Sequence, residues 1–371
     1  MVREHLKTVV VLGAGASKAD GAPLQSELLR GYFESYQHRP EGEMFHDRDR
    51  ELATYFDLLW GIDVDHGDMK RESFPTFEEA LGLLELAHAR GEFFKGFSGL
   101  DQQTTRGQEL RSHLTALIAL FLEERLRQTQ VHHRALVASL QRAGVLARTV
   151  FLSLNYDILI DNAIEHHSAE QGTHALSDYG VEFASVPHRG GAAFPRASLL
   201  LKLHGSLNWL FCPTCNGLWL FPHHKVAAGV PGGPAYTVCP ACHEPRVPII
   251  IPPTFFKVMS NFYLQQIWKR AEDELKQADR IVFCGYSFPD ADMHFKYLLK
   301  RAEVNRSDDC PLEVYVVNRP PERSEEEHKA AEERSRYERF FRRKDLVHWT
   351  RLSFEQFAKN PTLIEGPSQW L

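Results

Sequence analysis

The sequence predicts an α/β fold: a doubly wound, Rossmann-like parallel sheet with a helical insertion and a small zinc-ribbon module. Short apolar segments rich in β-branched residues alternate with helical segments before residue 30 and again after residue 143. Strand-like segments are few between residues 31 and 142, where helical periodicity dominates. Two Cys-Pro-x-Cys pairs then interrupt the strand-rich part of the chain, at residues 212–215 and 239–242.

The first predicted strand, Thr8–Leu12, runs directly into the small residues Gly13-Ala14-Gly15-Ala16-Ser17. A strand that turns sharply into a helix can present backbone amides to a pyrophosphate, although many such turns need small residues simply to bend. The dehydrogenase fingerprint would place a third glycine where Lys18 stands and an acid at the end of a second strand about 20 residues on, and both are missing. The turn therefore predicts a dinucleotide pocket without dehydrogenase chemistry.

The remaining elements follow from periodicity. Helical spacing over residues 81–89 and 110–128 predicts a helical insertion, and the segments 157–166 and 263–277 also predict helices. Strands are predicted at residues 149–154, 198–203, 247–251, 280–284 and 312–317. The Glu- and Arg-rich segment 320–344 is interpreted as a solvated helix. We expect residues 1–30, 143–210 and 247–371 to form the sheet domain, 31–142 the helical insertion and 211–246 the zinc-ribbon module.

The paired cysteines are Cys212, Cys215, Cys239 and Cys242. Two C-x-x-C turns give a tetrahedral zinc ion four thiolates and leave no position open for substrate, which predicts a structural site. Two redox or free-thiol pairs are the alternative, and His223, His224 or His243 could replace a sulfur. Cys284 and Cys310 are expected to be buried and inert.

Composition limits the partners. The chain has 371 residues, 43% of them apolar and 25% charged, with a net charge of -6 and a pI of about 6.3. This balance gives no general attraction to nucleic acid or to an anionic membrane. No signal-like segment and no apolar run of about 18 residues is present, so we expect a cytoplasmic protein.

Polar or small residues follow several predicted strands, and the carboxyl ends of parallel strands meet at one edge, where ligands of such folds bind. These residues are Ser17, Asn155, Asp157, His204, Gly285, Ser287 and Asn318. A neutral imidazole can accept a proton, while an amide and a carboxylate can orient a ribose and a carboxamide, so the set suits the cleavage of a glycosidic bond. Asn155-Tyr156-Asp157 could instead be a turn or helix cap, and His204 a core histidine.

The order of these motifs resembles the sirtuin family: Gly-Ala-Gly-x-Ser, Asn-x-Asp, His-Gly, four cysteines, Gly-x-Ser and a strand ending in Asn. The resemblance implies that Gly13, Ala14, Gly15 and Ser17 hold NAD+, with Asn155 and Asp157 at the nicotinamide end and His204 as the catalytic base. It further implies that Gly285 and Ser287 meet the phosphates or ribose, that Asn318 binds the adenosine ribose, and that the four paired cysteines bind zinc.

The sequence also departs from the pattern of sirtuin deacylases at several positions. After Gly21-Ala22-Pro23 the Phe and Arg of sirtuin deacylases are missing, and Leu154 stands where they have glutamine. The segment 249–257 replaces their peptide-binding sequence. Its residues Thr254–Lys257 could line the substrate mouth, and the alternative is that the aromatic pair within them belongs to the core.

With the segments 204–209 and 285–290, these features resemble the bacterial sirtuin-like subgroup of anti-phage defence NADases. That resemblance implies hydrolysis of NAD+ to nicotinamide and ADP-ribose, controlled by homo-oligomerisation or by a HerA-type ATPase partner. The alternatives are an NAD-dependent protein deacylase or ADP-ribosyltransferase, and a non-catalytic NAD or ADP-ribose binding module.

Overall fold

The structure is a computed structural model that describes residues 6–37, 46–92, 94–95, 103–126, 130–185, 196–222, 238–250, 261–307, 310–321 and 323–361. The strands in chain order are β1 (Thr8–Leu12), β2 (Thr149–Ser153), β3 (Leu176–Asp178), β4 (Arg196–Lys202), β5 (Gly205–Phe211), β6 (Leu218–Leu220), β7 (Val247–Ile250), β8 (Arg280–Cys284), β9 (Glu313–Val317) and β10 (Val347–Trp349). The helices are α1 (Ala14–Ala19), α2 (Gln25–Gln37), α3 (His46–Trp60), α4 (Phe77–Arg90), α5 (Gln103–Arg125), α6 (His132–Arg142), α7 (Leu159–Glu170), α8 (Phe262–Gln277), α9 (Met293–Val304), α10 (Ser324–Phe340) and α11 (Phe354–Lys359).

Seven strands form one parallel sheet in the order β10-β9-β8-β1-β2-β4-β3, which confirms the predicted doubly wound, Rossmann-like architecture. The residues of β1, β2 and β8 are buried throughout, as expected for central strands covered on both faces. Leu12 pairs with Ser153 on one side and with Cys284 on the other, so these three strands end level. The chain proceeds outward from β1 to β2 in one direction and from β8 to β9 in the other. The topological switch point therefore lies between β1 and β8, where ligands of such sheets bind.

The buried apolar residues of the described part of the chain form two hydrophobic cores. One surrounds the large sheet and includes Leu136, Val137 and Leu140 of α6, which packs against α7 and α11. The other lies among helices α2 to α5 and is rich in aromatic rings that meet edge to face. Tyr156, from the loop after β2, joins this second core, so the helical region packs directly on the edge of the sheet.

A small antiparallel sheet, β6-β5-β7, adjoins the large one. The chain leaves β4 through a two-residue turn and enters β5 at Gly205. Gly205 has a φ of +83°, and a Cβ there would lie 1.9 Å from the carbonyl oxygen of Ile249, so only glycine fits. The cysteine pairs are attached to this sheet, after β5 and before β7.

Among the described residues, none of the helices combines the length and the apolarity needed to cross a lipid bilayer.

Candidate active site at the carboxyl edge of the sheet

Three glycines allow two loops to meet at the switch point. The Gly13 amide donates to the carbonyl of Cys284 at 2.9 Å, and the Gly15 amide donates to the carbonyl of Gly285 at 2.8 Å. A Cβ on Gly285, whose φ is +62°, would lie 2.1 Å from the amide nitrogen of Ala16. A Cβ on Gly13 would lie 2.6 Å from the carbonyl oxygen of Gly285. Close packing of the loops after β1 and β8 therefore requires these glycines, whatever ligand the edge binds.

A buried polar network joins the loop after β1 to the loop after β2. The Asn155 side chain donates from Nδ2 to the Gly13 carbonyl at 2.9 Å and to Ser17 Oγ at 2.8 Å. Ser17 Oγ donates in turn to Asp157 Oδ2 at 2.7 Å. The other oxygen, Asp157 Oδ1, accepts from the amide of Leu159 at 3.0 Å at the start of α7. The structure thus brings together three residues that the sequence singled out, and Asp157 also has the turn-capping bond expected of the structural alternative.

Lys202 contacts this network through Asp157, whereas the sequence had indicated only a packing or surface role for it. It is fully buried at the end of β4, where its ammonium group donates to the carbonyl of Asp157 and lies 3.1 Å from Asp161 Oδ2. Tyr179 donates to the other oxygen of Asp161 at 2.7 Å. A lysine at the end of the apolar run Leu199-Leu200-Leu201 was the available signal.

His204 occupies the turn between β4 and β5, and its side chain is 2% exposed. Its ring lies 6.3 Å from that of Tyr156 and is stacked 6.5 Å from that of Trp268, measured between centroids. Its Nε2 lies 4.0 Å from Oδ1 of Asp292, a residue that the sequence analysis also missed. The nearest signal was the segment 285–290 after β8, which ends two residues before Asp292.

The loops that carry Asn155 and His204 are tied to one another. Their strands, β2 and β4, are neighbours, with Ser153 paired to Lys202. The amide of Leu203 donates to the Ser153 carbonyl at 3.2 Å, and the amide of Leu207 donates to the Tyr156 carbonyl at 3.0 Å. Both predicted catalytic segments therefore lie at the same edge, on adjacent loops.

Helix α10 covers the opposite end of this edge. Asn318, which follows β9, donates from Nδ2 to the Tyr286 carbonyl at 3.3 Å and to the Glu333 carboxylate. Arg336 donates to the carbonyl of Ser287 at 2.9 Å. Burial raises the pKa of Glu333, although its bond with Asn318 opposes that shift. The charged helix is therefore solvated on one face only, and its other face holds the loop after β8.

The four cysteines of the zinc-ribbon prediction converge. Their sulfur atoms all lie within 4.8 Å of one another, with Cys212 and Cys242 separated by 3.4 Å and Cys215 and Cys239 by 3.6 Å. A tetrahedral zinc ion with Zn–S bonds of about 2.3 Å sets its sulfur ligands roughly 3.8 Å apart, so the cluster fits a structural zinc ion. A hydrogen bond from the Cys215 amide lowers the pKa of Cys212 to about 6. The Glu244 amide also lowers the pKa of Cys242, but burial and Cys212 outweigh it and raise that pKa to about 12, so zinc binding would have to release protons from the cluster.

The predictions for the other cysteines and the nearby histidines have different outcomes. Cys284 is buried as predicted, and burial raises the pKa of its thiol. Cys310 is exposed, so the prediction that it is buried was wrong: it lies just before β9 rather than within the strand. His243 is exposed and outside the sulfur cluster. His223, His224 and the segment Thr254–Lys257 lie outside the described residues.

The family profile described as a SIR2-like domain matches residues 149–341, just over half of the chain. The chain belongs to the SIR2-like family.

Similar solved structures include an ADP-ribose complex of a Sir2 homologue with a serine-to-alanine substitution, at 14% identity and a TM-score of 0.45, covering 100% of this chain and 96% of that one. A Sir2 homologue in complex with NAD is similar at 15% identity and a TM-score of 0.46, covering 96% and 88% respectively. No curated protein sequence matches this chain. Membership in the family therefore rests on the profile match.

Proposed function

We propose that this protein is an NAD+ glycohydrolase, which cleaves NAD+ to nicotinamide and ADP-ribose. The observation that carries the proposal is the pairing of two buried groups at one sheet edge: His204 beside Asp292, and the Asn155, Ser17 and Asp157 network on the adjacent loop. This edge belongs to the switch point of a SIR2-like sheet, where a dinucleotide would lie across the loops after β1 and β8.

Different residues are proposed to bind different parts of the dinucleotide. Gly13, Ala14, Gly15 and Ser17 after β1, with Gly285 and Ser287 after β8, would surround the pyrophosphate and its riboses. Asn318 after β9 would bind the adenosine ribose. The nicotinamide end would then lie near Asn155 and Asp157, on the loop that adjoins the His204 turn.

The proposed reaction breaks the bond between the ribose C1′ and the nicotinamide nitrogen, and the bonding electrons leave with nicotinamide. The oxygen of a water molecule forms the new bond to C1′, and His204 takes the proton that this water loses. Asn155 orients the nicotinamide ribose while charge develops at C1′. The anionic side chains Asp157 and Asp292 suit a site in which positive charge develops on the sugar.

The setting of the activity belongs to the same proposal. The resemblance to bacterial sirtuin-like defence proteins supports a cytoplasmic anti-phage effector. Such an activity must be controlled, because uncontrolled NAD+ consumption would harm the cell. Control by homo-oligomerisation or by a HerA-type ATPase partner is part of this proposal. The division into a helical insertion at residues 31–142 and a zinc-ribbon module at residues 211–246 also stays a prediction. It assigns helix α6 to the insertion, whereas α6 packs against α7 and α11 of the sheet domain.

Product analysis of the purified full-length chain tests the proposal. Incubation with NAD+ should release nicotinamide and ADP-ribose in equal amounts without any peptide. The variant His204→Ala should lose activity by about 10²- to 10⁴-fold, the usual contribution of a positioned base. His66→Ala, at a histidine whose side chain is 85% exposed, is the matched control and should match the wild type.

Three outcomes would overturn the proposal. Acyl-ADP-ribose formed only with an acylated peptide would identify a deacylase, and a labelled protein would identify an ADP-ribosyltransferase. Tight binding of NAD+ without turnover would identify a binding module.

A further inference from the structure

Asp292 has an unusual position for a residue that begins a helix. It directly precedes α9, where an aspartate side chain ordinarily accepts a hydrogen bond from an amide of the first turn. Asp292 makes no such capping bond. Its Oδ2 accepts from the hydroxyl of Tyr286 at 2.9 Å, and its Oδ1 is turned toward His204. Helix capping therefore does not explain where this carboxylate points.

The carboxylate and the imidazole share a closed environment. The side chains of His204 and Asp292 are 2% and 3% exposed, so little solvent screens their interaction. The separation of 4.0 Å between His204 Nε2 and Asp292 Oδ1 exceeds a hydrogen bond by about 1 Å. Catalytic hydrogen bonds are often long before substrate binds and tighten in the complex, so a small movement completes this one.

The other elements packed around His204 contribute few charges. Tyr156 from the loop after β2 and Trp268 from α8 contact its ring. Tyr286 follows β8, and burial raises the pKa of both tyrosines well above the ordinary value, so their phenols stay neutral. The negative charges of Glu78 on α4 and of Asp292 raise the pKa of Tyr156 further. Asp292 places a carboxylate oxygen 4.0 Å from His204 Nε2.

We propose that Asp292 is the positioning residue for His204, with Tyr286 fixing its carboxylate. It orients the imidazole ring through Nε2, so that His204 can accept the proton of the attacking water. It also stabilises the imidazolium that forms when that proton arrives. This inference rests on the proposed NAD+ glycohydrolase function.

Kinetics of the full chain test the role. Asp292→Asn should lower kcat by about 10- to 10³-fold and change KM for NAD+ little, because Asp292 acts through His204 rather than on the substrate. The acid limb of the kcat profile reports protonation of the base. It should move to lower pH, since the imidazolium loses its anionic partner.

Two variants make the kinetic test specific. Asp290→Asn, two residues away, is the matched control, because Asp290 is exposed and pairs with Lys296 and Arg339; its profile should match the wild type. Asp292→Glu keeps the charge and should keep the acid limb near its wild-type position. If Asp292→Asn leaves the limb unmoved, or if Asp292→Glu shifts it as far as Asn does, the inference is wrong.

A titration that needs no turnover separates this inference from the proposed function. In histidine ring NMR spectra, the His204 signal is identified by its loss in His204→Asn. Its titration midpoint should fall by about one pH unit or more in Asp292→Asn and stay constant in Asp290→Asn. An unchanged midpoint would refute the pairing even if NAD+ is hydrolysed. A shifted midpoint in a protein that leaves NAD+ intact would uphold the pairing and reject the function.

Discussion

At the scale of single residues, the site depends on charges that are buried and paired. Lys202 and Asp161 have side chains 0% and 1% exposed, and they lie beneath the loop that carries Asn155 and Asp157. Removing one member of such a pair leaves an uncompensated buried charge, which costs far more than the pair contributes. The loop geometry is therefore coupled to an ion pair that does not itself reach the proposed substrate.

Lys202→Met should lower the free energy of unfolding by about 3–5 kcal/mol, because Asp161 loses its cation. Urea unfolding followed by circular dichroism measures this change. Adding Asp161→Asn to Lys202→Met should recover part of the loss. Lys269→Met, in an exposed pair with Asp273, is the control and should cost well under 1 kcal/mol. A single Lys202 variant as stable as the wild type would contradict the prediction.

Glu165 should make the free energy of unfolding depend on pH. Burial, with a further contribution from Asp161, raises its pKa to about 8. A carboxyl group whose folded-state pKa exceeds its unfolded value of 4.5 stabilises the fold fully below that lower value. This contribution is lost as the pH rises toward and through 8.

Glu165→Gln should remove this dependence. Between pH 5 and 8, the unfolding free energy of the wild type should fall relative to that of the variant by up to about 1.4 kcal/mol per pH unit. Chemical unfolding at several pH values checks this difference. Parallel curves for the two proteins would show that Glu165 is ionised in the folded state.

At the scale of elements, Asp20 joins two helices that are distant in the chain. Helix α6 has no capping side chain of its own, and Asp20, next to α1, supplies the cap. Its carboxylate accepts from the amides of Val131, His132 and His133 at 2.8, 2.9 and 3.0 Å and lies 2.6 Å from His133 Nδ1. Burial raises the pKa of Asp20, but the His133 and amide hydrogen bonds outweigh it and hold the pKa well below its ordinary value.

Asp20→Ala should therefore destabilise the protein by about 2–4 kcal/mol at neutral pH, since three amides and His133 lose their acceptor. A depressed carboxyl pKa contributes stability that is complete above the unfolded value of 3.8 and is lost as the pH falls from there through the folded-state pKa, so the difference between the variant and the wild type should be smaller near pH 3 than at pH 7. Thermal melts at pH 7 and near pH 3 measure both effects. Asp57→Ala, at an exposed position on α3, should match the wild type at both pH values.

At the scale of the whole molecule, the cysteine cluster connects a distant module to the proposed active site. Strand β5 begins one residue after His204 and ends one residue before Cys212. The cluster therefore fixes the far end of the strand that holds the His204 turn. Loss of metal should loosen this strand as well as the ribbon.

The double variant Cys212→Ser and Cys215→Ser should lose its zinc, whereas the wild type should hold about one ion per chain. Its melting temperature should also fall, because metal binding contributes to folding. Elemental analysis and calorimetry measure the two effects. Cys310→Ser, at an exposed cysteine outside the cluster, is the control. Well-folded wild-type protein without zinc would contradict the prediction.

The sequence by itself determined the local elements and the chemistry available to them. Strands β1 and β8 and helix α8 follow from periodicity, and the two C-x-x-C turns predict their sulfur cluster, because these patterns depend on neighbouring residues. Strand β5 was missed, because its polar residues Ser206 and Asn208 are buried together with their apolar neighbours, which is not the usual pattern of a strand with one solvated face.

Only the tertiary structure decided which side chains meet. Asp20 reaches α6 across more than 100 residues, Lys202 reaches Asp161 across 41, and Asp292 faces His204 from the far side of the switch point. No periodicity encodes such contacts, because they depend on the order of strands in the sheet. That order is a property of the whole chain, since each core is built from residues that are distant in the sequence.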